Sequence, residues 1–63
     1  MRIVIAEDGV LLREGLVRLL TEDGHTVVAA VGDGPSLVTA VVEHRPDIAI
    51  VDFTGRPAFG ACL

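Results

Sequence analysis

Two short apolar runs in this chain each end on carboxylates: Ile3-Val4-Ile5-Ala6 leads into Glu7-Asp8, and Ile48-Ala49-Ile50-Val51 leads into Asp52. Runs without polar alternation read as strands covered on both faces, as in a parallel sheet between helices. In open α/β sheets, ligands bind outside the carboxyl ends of the strands. If the two runs are neighbours, Glu7, Asp8 and Asp52 meet at that edge. Such a grouping suits a divalent cation or phosphoryl chemistry, because carboxylates held close together repel unless a cation joins them.

The segment between the runs has the right signals to connect parallel strands. Leu12, Leu16, Leu19 and Leu20 fall at helical spacing, which predicts a helix over about 10–22 with these leucines in the core. Glu14 and Arg18 stand four apart in the favourable order for an exposed pair. Gly24 sits where a helix-ending glycine belongs, and His25 to Val31 reads as a second strand rich in β-branched residues. Gly32-Asp33-Gly34 is a turn, and Pro35 suits the first residue of a second helix. Leu37, Val38, Val41 and Val42 give that helix an apolar stripe, and Arg45-Pro46-Asp47 ends it. Residues 48–51 form the third strand. The expected order is β-α-β-α-β with right-handed crossovers. Residues 53–63 follow neither period and read as an irregular tail.

Composition narrows the function classes. The chain has 63 residues, 51% of them hydrophobic, with two Phe and neither Trp nor Tyr. A core must therefore come from Val, Leu, Ile and Ala, and the apolar share excludes disorder as the default. A domain this small is marginal without a disulfide, a metal or a partner chain. Cys62 is the single cysteine, so no intramolecular disulfide forms. The net charge is −4, with five Arg and no Lys. Without a basic stripe or aromatic platform, no nucleic-acid binding by this chain is expected. The apolar runs are too short to span a bilayer, and Met1-Arg2 leads directly into a strand instead of a secretory signal. Low cysteine content and these absences set a cytoplasmic expectation.

Three segments carry a family resemblance. Residues 2–8 (Arg-Ile-Val-Ile-Ala-Glu-Asp), the helix at 11–20 (Leu-Leu-Arg-Glu-Gly-Leu-Val-Arg-Leu-Leu) and residues 46–52 (Pro-Asp-Ile-Ala-Ile-Val-Asp) resemble the receiver domain of bacterial two-component response regulators. The first helix and the Gly-Asp-Gly-Pro-Ser turn look most like regulators with a C-terminal helix-turn-helix DNA-binding domain. The resemblance covers residues 1–52 as the N-terminal half of a receiver, and 53–63 depart from the pattern. It implies a truncated flavodoxin-like α/β fold with parallel sheet order 2-1-3. It also implies phosphorelay roles without substrate turnover of an enzyme's kind. Asp52 would be the phosphoacceptor, taking its phosphoryl group from a sensor histidine kinase. Asp8 would bind Mg²⁺ with Asp52, Glu7 would support the metal through water, and Thr54 would offer its backbone carbonyl. The family's hydroxyl residue after a fourth strand and its Lys after a fifth have no counterpart here, so impaired activity is expected.

Each residue also has a plainer reading. Glu7 and Asp8 taken singly complement a helix N-terminus, and Asp52 alone is an ordinary turn residue. Gly32-Asp33-Gly34 lacks the spacing of a phosphate loop. His25 and His44 have no metal-ligand companions at useful spacing, and His44 suits a helix C-terminus. Arg56 reads as a solvated loop residue and Cys62 as an incidental thiol without a nearby base. Asp52-Phe53-Thr54 partly resembles the start of a haloacid-dehalogenase motif, but Thr54 stands where a second Asp is required. The competing function is a non-catalytic interaction module or inert fragment. The open edge of its third strand would pair as a homodimer or with a full-length relative.

Overall fold

The least polar stretch of the chain becomes its centre. The computed structural model describes residues 1–53, with β1 (Arg2–Glu7), α1 (Val10–Glu22), β2 (Thr26–Val31), α2 (Gly34–His44) and β3 (Ile48–Asp52). The sheet runs β2-β1-β3 and both pairings are parallel. Its order is the expected one, the first three strands of a flavodoxin-like 2-1-3-4-5 sheet. From β1 the chain crosses to one neighbour, and from β2 it crosses back past β1 to the other. Right-handed crossovers in opposite directions place α1 and α2 on opposite faces. Both helices pack on β1 and β2.

That layering decides what is buried. Ile3 through Glu7 are all buried, with Val4 and Ile5 fully so. Full burial of each such Val or Ile side chain contributes roughly 1.5–3 kcal/mol. β3 departs from the expectation of two covered faces: Ile48 and Val51 remain 44% and 50% exposed. β3 lies at the edge of the three-stranded sheet, and neither helix packs mainly on it.

The helices are also less buried than their apolar patterns predict. No residue of α1 is buried, so none of the four leucines is core: Leu16 and Leu20 are half-buried, and Leu12 and Leu19 are 52% and 63% exposed. At 100° per residue, Leu12 and Leu19 share one flank of α1, while Leu16, Leu20, Arg13 and Val17 share the arc next to it. The second arc packs on the sheet, so the leucine stripe is wider than the surface that receives it. In α2 the packed arc is Ser36, Leu37, Ala40 and His44, with Ala40 buried. Val38 and Val42 are exposed on the opposite side, and Val41 is exposed between the two arcs. The valine stripe of the sequence is therefore not the packing face. Ala40, with its small side chain, takes the position against the sheet.

Local chemistry explains the element ends. α1 closes through Asp23 and Gly24, and Gly24 adopts φ +94, the left-handed conformation that glycine accepts without cost. β2 starts at Thr26, one residue later than the sequence reading, and His25 instead pairs with Asp23 at 3.3 Å. Asp33 caps α2, its Oδ1 accepting from the Ser36 N–H at 2.8 Å, so the helix starts at Gly34, one residue before Pro35. α2 ends at Arg45 in the left-handed region (φ 48), immediately before Pro46. Asp47 then joins β3 to β1. Its Oδ2 accepts from the Arg2 N–H and its own N–H donates to the Arg2 carbonyl, both at 2.8 Å. Glu14 and Arg18 are exposed and form no ion pair with each other.

Gly15 lies inside α1, and a Cβ added there meets nothing within 4 Å. Gly15→Ala is expected to raise unfolding stability by about 0.5–1 kcal/mol, and Asp33→Ala to lower it by about 1 kcal/mol. Urea titration followed by circular dichroism measures both.

Candidate functional site

The register of the two carboxylate-terminated strands builds the site. Ile3 pairs with Ile48, and four steps later Glu7 pairs with Asp52. Parallel neighbours in this register end together, so Glu7, Asp8 and Asp52 come to one edge of the sheet. The edge lies between β1 and β3, where the crossover leaving β1 and the crossover entering β3 run in opposite directions, the position at which open α/β sheets bind ligands.

Glu7 is only 2% exposed. Its Oε2 accepts from the Gly9 N–H at 2.8 Å. Gly9 is the N-cap of α1, which has no side-chain cap of its own. The carboxylate thus also serves the helix N-terminus, as the plainer reading expects. Its other oxygen, Oε1, is buried without a hydrogen-bond partner, and so is Oδ1 of Asp8. Burying a carboxylate oxygen without a partner is costly. Asp52 is half-buried at the end of β3.

Among the described residues, no group of three or more His, Cys, Asp or Glu side chains is gathered closely enough to hold a metal ion. The backbone brings the three acids to one edge, while the Glu7 side chain is committed to Gly9. The donor set is hard oxygen, which suits Mg²⁺, and the two orphaned buried oxygens are groups such a cation satisfies. Thr54, Arg56 and Cys62 lie outside the described residues.

Two further residues converge here without having been expected. Arg13 Nη1 donates to the Glu7 carbonyl at 2.8 Å. Gly32 lies against the same guanidinium, since a Cβ at Gly32 would sit 2.8 Å from Nη1. The helical wheel holds the signal: Arg13 falls on the packed arc of α1, between Leu20 and Val17. The acidic edge is also separate from a hollow against α2. That cavity of about 410 Å³ lies between β2 and α2, lined by Ala29, Thr39 and His44 among others, and none of the three carboxylates borders it. Nor is any helix among them long and apolar enough to cross a membrane.

A parallel 2-1-3 sheet, with acids at the carboxyl ends of two adjacent strands, is the arrangement of a truncated flavodoxin-like receiver fold. Comparison with known proteins agrees. Over 51 residues the chain is 41% identical to the transcriptional regulatory protein PdtaR of Mycobacterium tuberculosis, covering 81% of this chain and 25% of that protein. It is 40% identical over 58 residues to the oxygen regulatory protein NreC of Staphylococcus epidermidis, covering 90% and 27% respectively. A protein-glutamate methylesterase/protein-glutamine glutaminase of Haloarcula marismortui matches at 40% over 52 residues, covering 82% and 14%. No protein-family model matches. The chain belongs to the response regulators, as a part of their receiver domain. It spans about a quarter of the length of the first of these relatives. The NreC match, 58 residues in a chain of 63, necessarily runs past Asp52.

Proposed function

We propose that the acidic edge is a phosphoacceptor site of a two-component phosphorelay, with Asp52 as the acceptor. The observation that carries this reading is the in-register pairing of Glu7 with Asp52 at the carboxyl ends of adjacent parallel strands. In the transfer, an Asp52 carboxylate oxygen attacks the phosphorus of a phosphohistidine on a sensor kinase. The new O–P bond forms as the P–N bond breaks, and the imidazole leaves with the electron pair. Asp8 and Asp52 would hold Mg²⁺, with Glu7 behind them through water and the Thr54 backbone carbonyl as a further ligand. Bound there, the ion supplies positive charge to the phosphoryl oxygens.

The protein's own groups do the rest. Glu7 steadies the turn through Gly9, and the register of β1 on β3 brings Glu7, with Asp8 next to it in the chain, to the end that carries Asp52. On this reading the chain is a signalling module and turns over no substrate of its own. Incubation with acetyl phosphate and Mg²⁺, followed by intact-mass spectrometry, is expected to show one phosphoryl adduct that is lost in Asp52→Asn. No adduct in the unsubstituted chain overturns the reading.

A second reading has its own observation. Among the described residues β3 pairs on one side only, and Ile48 and Val51 stay exposed on it. An apolar edge of this kind pairs readily with another strand. On this reading two copies join through β3, the same strand from each, in a symmetric contact. Size-exclusion chromatography over a dilution series is expected to show a dimer that dissociates in Val51→Lys. A monomer at every concentration removes this reading and leaves the first intact.

A further inference from the structure

We propose that Arg13 is the positioning residue of the acidic edge: its guanidinium, seated on the bare backbone of Gly32, clamps the Glu7–Gly9 turn that carries the metal-facing acids. The inference rests on the phosphoacceptor reading for its consequence, while the clamp itself stands on contacts independent of any metal.

The geometry joins three elements through one side chain. Arg13 belongs to the first turns of α1, and it donates to the carbonyl of Glu7, the last residue of β1. Gly32 follows β2, so the guanidinium reaches from the helix across the end of β1 to the β2–α2 turn. A charged donor on a backbone carbonyl makes a stronger bond than a neutral one. The Glu7 carbonyl and the Glu7 carboxylate lie on either side of the turn, the first held by Arg13 and the second by Gly9. Asp8 sits between these two restraints. Loss of the guanidinium contact leaves the turn held by the Gly9 N–H on Glu7 Oε2 and by the Arg13 backbone N–H on the Gly9 carbonyl, both at 2.8 Å, but frees the Glu7 carbonyl, and Asp8 then samples positions away from Asp52.

Gly32 makes this testable without removing the charge. Its φ is not in the left-handed region, where among the glycines of residues 1–53 only Gly24 lies, so alanine fits the backbone. The added Cβ meets the far end of a flexible side chain, so Arg13 swings aside while the fold stays in place. Gly32→Ala therefore moves the guanidinium, and Arg13→Met removes it. The two variants separate placement from charge. Loss of a cation near carboxylates by itself tightens the binding of a divalent ion, whereas loss of the clamp weakens it.

The test is a ¹H–¹⁵N correlation study of the full 63-residue chain. The unsubstituted protein, Gly32→Ala, Arg13→Met and Gly15→Ala are compared by Gly9 amide exchange without metal and by Mg²⁺ titration. Mg²⁺ binding is read from peaks of the folded state, so altered stability alone does not move the dissociation constant. Gly32→Ala and Arg13→Met are expected to speed Gly9 exchange and to weaken Mg²⁺ binding about tenfold, as displaced supports of metal ligands do. Gly15→Ala, on the same helix, should change neither. If Arg13→Met does not fold, Gly32→Ala decides alone. Unchanged Gly9 exchange in Gly32→Ala overturns the clamp, as does unchanged or tighter Mg²⁺ binding in both variants. If the unsubstituted chain does not respond to Mg²⁺, the metal reading falls, and Gly9 exchange decides the clamp by itself.

Discussion

The rest of the molecule depends on β1 being paired on both sides. A strand buried on both faces and hydrogen-bonded along both edges is held along its length, even though the register of β1 on β2 shifts between Ile3 and Val4. Ile3 to Ala6 meet that condition, and the buried Glu7 inherits it. The other elements are arranged around this strand. β2 and β3 complete its hydrogen bonds, α1 and α2 cover its faces, and Asp47 ties the start of β3 to Arg2. Glu7 is placed beside Asp52 by the same constraint. The site is thus a by-product of core packing, since the apolar residues that fix the register also decide which carboxylates meet.

How much of this was legible depends on the kind of information each residue carries. Element type and order follow from periodicity, and all five elements lie where the apolar runs and the turn residues Gly24, Asp33 and Pro46 put them. The sheet order followed from the family resemblance, and the register bears it out. Burial was less legible. Periodicity states which residues share a face, but not whether another element lies opposite. Leu12, Leu19, Val38 and Val42 are apolar and in phase, yet this sheet is too narrow to cover them. The packed arc of α2 was masked for the opposite reason. Ala40 and Ser36 look inconspicuous among valines, although their small side chains favour close approach of helix and sheet.

The candidate site divides along the same line. Glu7, Asp8 and Asp52 were visible because charge at the end of an apolar run is anomalous. Arg13 was not, since an arginine on an amphipathic helix ordinarily faces water. Only the geometry shows that its arc is the packed one. Asp47 was similarly hidden, read as part of a helix ending while its carboxylate holds the Arg2 N–H. Residues that make an unusual pattern declare themselves in the sequence. Residues that act by bonding to backbone carbonyl or N–H groups do not, because every residue offers the same backbone partners.

The two functional readings draw on opposite properties of β3. Its inner edge is locked to β1 and delivers Asp52 to the acids, while its outer edge and exposed Ile48 and Val51 are what a further strand would cover. The acidic edge needs only the inner pairing, which β1 enforces through its own burial. Covering the outer edge would restrain β3 further without altering the Glu7–Asp52 register. Association through β3 and phosphoryl transfer at its end are therefore compatible in one molecule. A strand paired on both sides would also hold the Asp52 backbone more firmly. The same reasoning applies to Arg13 on the other flank. The placement of each acid depends on the backbone beneath it, and here that backbone is held by the pairing of β1 with β3 on one side and, on the other, by the Arg13 guanidinium together with the bonds of Gly9.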